Sequence, residues 1–141
     1  MGWVIFLHVV GACIWVGGHM VLLFGWLPEA LQHRDPQRLL LYEKKYERIG
    51  IPALFVQVVT GLWLLYQYKI WPFGVGSVKM GLLKIGLLLF TLALALHARL
   101  ALLPALSPGK LKVLAWHISL VTICAILMAL VGVLWRWGYF S

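Results

Sequence analysis

Apolar residues run through this chain in long unbroken stretches, not in the alternation of a strand or the single stripe of a soluble helix. Four stretches, about 3–26, 51–70, 78–103 and 112–136, each reach the ~20 apolar residues that a bilayer crossing requires. They predict an all-α integral membrane protein, a single domain over 1–141. Short connections make successive helices antiparallel neighbours, so the expected architecture is a four-helix up-down bundle. Trp26-Leu27-Pro28 predicts the end of the first helix, and Pro52 the start of the second. Between them, Asp35-Pro36 reads as an N-cap followed by a first-turn proline, opening a short polar helix PQRLLLYEKKYERIG. Glu43, Lys44, Glu47 and Arg48 are spaced there for i,i+4 contacts, and such a run reads as a solvated face without chemistry. Pro104 and Pro108-Gly109 end the third helix. Tyr66, Tyr68, Trp71 and Phe73 suit an interfacial aromatic belt.

The few polar residues inside these stretches carry the functional information. His8 and His19 lie eleven residues apart, which at ~100° and ~1.5 Å per residue puts them on one stripe roughly 16 Å apart, with Ala12 and Trp15 between. Gln57, Gly61 and Leu64 share a stripe of the second helix. The third holds Lys84 and, on the stripe of Gly86, Phe90 and Ala93, His97. In the fourth, His117, Cys124 and Met128 follow at +7 and +11, three metal-competent side chains on one face. Imidazole in hydrocarbon is costly and marks a candidate site. The plainer readings are interhelical hydrogen bonds for the histidines and Gln57, snorkelling for Lys84, and ordinary packing for Cys124 and Met128.

Composition agrees with a membrane protein: 63% of the 141 residues are hydrophobic and 11% charged, with mean hydropathy +0.95. The net charge of +8 does not point to nucleic acid, because the basic residues sit in the connections. Arg34, Arg38, Lys44, Lys45, Arg48, Arg99, Lys110 and Lys112 fall on one side; Lys69, Lys79, Lys84 and Arg136 fall on the other. The positive-inside rule then puts the first and third connections in the cytoplasm and both termini outside. Without a basic region before it or a small-residue cleavage site after it, the first stretch reads as a retained helix. Cys13 and Cys124 fall within spans, as buried thiols or soft-metal ligands.

Alternating helix directions fix relative depth. His19, His97 and His117 fall in the inner half of the bundle; His8 falls in the outer half, with Met128, Cys124 and Lys84 as company. An inner level of three histidines suits haem b, one or two groups, since haem iron takes axial His in pairs or with Met. Gly11, Gly17 and Gly18 offer clearance for a flat macrocycle, and Arg99 can pair with propionates, aided by Arg48, Lys110 or Lys112. Copper is the alternative, with imidazole, Met128 and Cys124 as ligands. A non-catalytic assembly subunit is the third possibility. No carboxylate lies within a span, so chemistry based on buried carboxylates has no support. The partners this leaves are the lipid bilayer, a redox partner or quinone, and a second copy of the chain.

LHVVGACIWVGGHMVLLFGWLPEAL, YERIGIPALFVQVVTGLWLLY, LKIGLLLFTLALALHARL and AWHISLVTICAILMALVGV together resemble small bacterial membrane proteins of the copper resistance protein D (CopD) family. More distantly, the first-span LH…W…G, then ER…P…TGLWLL and a lysine early in the third span, resemble HemJ-type protoporphyrinogen oxidases. The first resemblance implies copper uptake across the bacterial inner membrane. The second implies haem binding and oxidoreductase activity, with His8 and Lys84 matching that family's essential histidine and lysine. His19 and His117 depart from the HemJ pattern and favour a cytochrome b-like reading.

Overall fold

The computed structural model describes residues 1–67 and 75–137. Among these the chain is helical and without strands, and four helical rods are long and apolar enough to cross a membrane: Gly2–His33, Pro36–Gln67, Lys79–Leu102 and Pro108–Arg136. The expected four-helix membrane bundle is therefore found. The expected belt residues Tyr68, Trp71 and Phe73 lie outside the described residues.

The prolines act differently from their sequence reading. Helix α1 (Gly2–Val21) does not stop at Trp26 but passes through a π-helical turn, Leu22–Trp26, into α2 (Leu27–His33). Leu27 N–H reaches back to the Leu22 carbonyl, one residue further than in an α-helix, just before Pro28, which has no N–H to give. The same device recurs where α4 (Val75–His97) continues through a π turn, Ala98–Leu102, two residues ahead of Pro104. There Leu103 N–H bonds the Ala98 carbonyl at 2.8 Å. Pro52 does not open a helix either. It lies inside the single helix α3 (Pro36–Gln67), where the lost backbone bond is carried by packing on both sides: Leu39, Tyr42, Gly50 and Ala53 are all buried. The predicted polar helix is thus nearly the first half of α3. Its start is as expected, with Asp35 accepting the Gln37 N–H at 3.0 Å. The fourth rod enters through a short 3₁₀ turn, Pro108–Lys110, and continues as α5 (Leu111–Arg136).

The tightest core lies at the charged end of the bundle, where Leu22, Leu27, Ala30, Leu39, Tyr42, Leu102, Leu111, Leu114 and Ile118 form one cluster. Helix α1 packs mainly on α3 and also on α5, and α4 packs mainly on α5. Helices α3 and α4, consecutive in sequence, are not closely packed on each other among the described residues. The bundle therefore has a seam between them. Large apolar side chains cover the outside, including Trp3, Phe24, Phe55, Leu100 and Trp116, all more than two-thirds exposed. Water would not tolerate such a surface, but lipid is its natural solvent.

Between α2 and α3 the chain turns on Arg34, at φ 50°, with Asp35 N–H closing on the Ala30 carbonyl at 3.0 Å. Arginine in the left-handed region is strained by its Cβ, and glycine is not. Arg34→Gly is expected to stabilise the fold by about 0.5–1 kcal/mol, after allowing for glycine's unfolded-state entropy. Denaturant unfolding in detergent micelles measures it.

Candidate functional site

Each histidine of the first helix is anchored through Nδ1. His8 Nδ1 donates to the Gln57 carbonyl at 3.1 Å and lies 3.0 Å from Thr60 Oγ1, whose own hydrogen is directed to the Val56 carbonyl. His19 Nδ1 donates to the Trp15 carbonyl at 2.8 Å, and His117 Nδ1 to the Val113 carbonyl at 3.0 Å. A carbonyl only accepts, so Nδ1 carries the hydrogen in all three, and Nε2 is left as a lone-pair atom. That is how ligating histidines are oriented by their surroundings. In His117 the lone pair is already used: His97 Nδ1 donates to it at 2.9 Å, the rings stacked at 5.0 Å.

The expected inner level of three histidines is thus a pair and a neighbour. His97 and His117 bond each other. His19 and His117, but not His97, line a cleft of about 260 Å³ that also takes in Trp15, Tyr46, Glu43, Glu47 and Arg99. Apart from Tyr42, its remaining walls are aliphatic, from Leu54 on α3 to Leu92 and Leu96 on α4. The cleft occupies the seam between α3 and α4. Arg99 crosses it at the charged end, pairing with Glu47 and lying 3.9 Å from Glu43. The carboxylates expected to pair along α3 therefore bridge to α4, and the arginine expected to meet propionates is held by them.

The glycines have uses of their own. A Cβ on Gly18 would lie 2.2 Å from the Tyr46 ring, so the clearance expected there for a macrocycle is filled by a tyrosine wedged between Gly18 and Gly50. Tyr46 donates to the Ile14 carbonyl at 3.0 Å, and Tyr42, stacked on it at 5.6 Å, donates to the Gly18 carbonyl at 2.5 Å. At Gly11 a Cβ would meet the Ala53 carbonyl and Gln57 Cβ, both at 3.1 Å, so Gly11 serves close approach of α1 to α3. Gly17 has open space beside it.

Toward the other end, His8 lies against Gly61, where a Cβ would meet its Cε1 at 3.1 Å. Lys84 does not snorkel away from the bundle: its Nζ lies over Gly132 of α5, 3.0 Å from where a Cβ would stand. Gln57, expected to use its side-chain amide, offers its backbone carbonyl to His8 instead, and its Oε1 is sealed without a donor. Cys124 is buried and Met128 half-buried, with Cys13 exposed. Among the described residues no three or more His, Cys, Asp or Glu side chains gather closely enough to hold a metal ion.

Sequence reasoning missed Tyr42, Tyr46, Glu43 and Glu47. A signal was available. Positions 43, 47, 50 and 54 continue one helical stripe from the charged segment into the apolar one, so both segments present the same face to the bundle. No family model, curated protein or solved structure matches this chain.

Because Tyr46 fills the space above Gly18, the two positions are coupled. Gly18→Ala is expected to cost about 1–3 kcal/mol, as overpacking does. Most of that cost should disappear in a Tyr46→Ala background, a non-additivity that a double-mutant cycle in detergent detects.

Proposed function

We propose that the chain is a haem b protein of the membrane, performing electron transfer or a small redox reaction within the bilayer. The observation that carries this is the fixed tautomer of its intramembrane histidines: Nδ1 is anchored to a carbonyl in His8, His19 and His117, which leaves Nε2 as the ligand atom. They occur singly and in a pair, not in a cluster of three. That suits an iron whose macrocycle supplies four donors and asks the protein for one or two axial ligands. A copper centre assembled from side chains asks for more ligands at one point than the described residues bring together. The likeness of the motifs to HemJ-type oxidases, which bind haem, points the same way.

His19 and His117 are the residues that would hold the group, across the cleft they share. The donor set fits. The room is tight, since about 260 Å³ lies just below the ~300–1,000 Å³ of small-molecule sites, so occupancy requires His117 to release His97 and the seam to widen. The weak packing of α3 on α4 makes that seam the part of the bundle that gives most readily. Haem bound there supplies a reversible one-electron couple. Trp15 keeps the His19 ring oriented through its carbonyl and by ring contact at 4.5 Å, while Tyr46 meets the same ring edge-on at 6.0 Å. Leu54, Leu92 and Leu96 keep water out. Arg99, at the charged end, is placed to exchange Glu43 for a propionate. The excess of Lys and Arg at that end argues that it faces the cytoplasm, in a bacterial-type inner membrane.

Protein purified in detergent, supplemented with haem during expression, should show a Soret band that shifts on reduction by dithionite. His19→Ala should abolish or strongly alter the band, and His33→Ala, on the exposed end of α2, should leave it unchanged. A colourless preparation, or a band indifferent to His19→Ala and His117→Ala alike, overturns the reading.

A further inference from the structure

The two histidines that line the cleft are not equivalent as ligands. Both are anchored through Nδ1 to a carbonyl one turn back, His19 to Trp15 and His117 to Val113. Nothing among the described residues bonds Nε2 of His19. Nε2 of His117 instead accepts from Nδ1 of His97 at 2.9 Å. The direction of that bond is fixed, because the hydrogen of His117 is already given to Val113 and the neutral ring has no other. His97 is exposed, is the last residue of α4, and does not line the cleft. Its influence on a group held there therefore passes through His117.

Ligation across the cleft needs the seam to widen and His117 to release His97, and the packing separates these two events. Helix α4 rests mainly on α5 and not closely on α3, so an opening between α3 and α4 carries α4 and α5 together. The bond from His97 to His117 joins those two helices and survives the opening. His19 is then available at once, whereas His117 has to exchange a hydrogen bond for a coordinate bond. A hydrogen bond between neutral groups shifts such an exchange by up to about tenfold. That does not bar His117 from the iron, but it makes His117 the weaker of the two ligands. A competitor for its place meets apolar surroundings, since the other α5 residues lining the cleft are Leu114, Ile118 and Val121. They suit a small neutral molecule and offer no donor to an anion.

We propose that His97 is a positioning residue that holds back the ligand atom of His117, so that His19 is the standing axial ligand and the second axial position is contested between His117 and a small neutral diatomic molecule. The inference rests on the haem reading above and adds to it a division of roles between the two histidines and a class of external ligand.

The test is a carbon monoxide titration of the haem-loaded, dithionite-reduced full chain in lipid nanodiscs, followed by the shift of the Soret band. The wild-type chain should bind carbon monoxide saturably. His97→Ala leaves His117 free to compete and should weaken that binding about tenfold. His97→Asn keeps an N–H donor close to the place of Nδ1 and should stay near the wild type. His117→Ala should bind carbon monoxide more tightly than the wild type, and adding His97→Ala to it should change nothing further, a result that a merely structural role for His97 would not give. A wild-type chain that shows a Soret band but binds no carbon monoxide overturns the inference and leaves the haem reading standing. An affinity indifferent to His97→Ala, a His97→Asn chain that behaves as His97→Ala does, or the same loss from His97→Ala with His117 already removed, does likewise. A colourless wild-type preparation overturns the haem reading and this inference with it.

Discussion

Within a bilayer, a polar group that the protein does not satisfy goes unsatisfied, and much of this structure follows from that constraint. Side chains find their partners in the backbone of their own or a neighbouring helix. Thr60, Thr91 and Thr122 return their hydroxyls to carbonyls one turn back, at 2.6, 2.6 and 2.7 Å. Tyr42 and Tyr46 cross to carbonyls of α1, and His8 crosses in the opposite sense to a carbonyl of α3. The α1–α3 pair is thus fastened at both ends by bonds in which the main chain is the acceptor. Those same bonds fix which nitrogen of each imidazole is free. The requirement for satisfaction and the availability of a ligand atom are one piece of chemistry.

The α3–α4 seam follows from where the fastening stops. Helix α1 is bonded and packed to α3, and α4 rests on α5, but what joins the two pairs along the seam is the Arg99 bridge to Glu43 and Glu47 at the charged end. An ion pair near the interface tolerates separation more readily than a packed apolar contact, because water can replace either partner. The cleft is therefore bounded by a hydratable contact at one end and by aliphatic walls along its length. That combination suits a site that must admit an amphiphilic molecule from the side.

The fold was legible in the sequence because length and continuity of apolar runs are all that a bilayer asks of a helix. The boundaries were less so. Pro28 read as a stop and Pro52 as a start, since proline interrupts most helices, yet burial of Leu27 and Ala30 on one side and of Leu39 and Tyr42 on the other holds both rods together through the missing bonds. The inner histidines were legible as residues at a shared depth, because helix direction alone sets depth. That His97 would bond His117 and leave His19 across a cleft was not, because it depends on helix rotation and rotamer. The glycines misled for a related reason. A gap beside Gly18 is visible in the sequence, but its occupant, Tyr46, lies twenty-eight residues away, on a helix whose first half reads as solvated.

The two π turns have a consequence for helical phase. Each takes up one residue more than an α-turn, so every side chain beyond it is rotated by about 100° relative to an uninterrupted helix. Residues 22–26 therefore work as a phase shifter between the stripe of His8 and His19 and the buried face of α2, and residues 98–102 do the same beyond His97. The histidine-bearing parts of α1 and α4 are thereby freed from the orientation that packing imposes at the charged end. Helix α1 can keep its imidazoles against the bundle, and α4 its His97 against His117, while the segment beyond each answers to a different core.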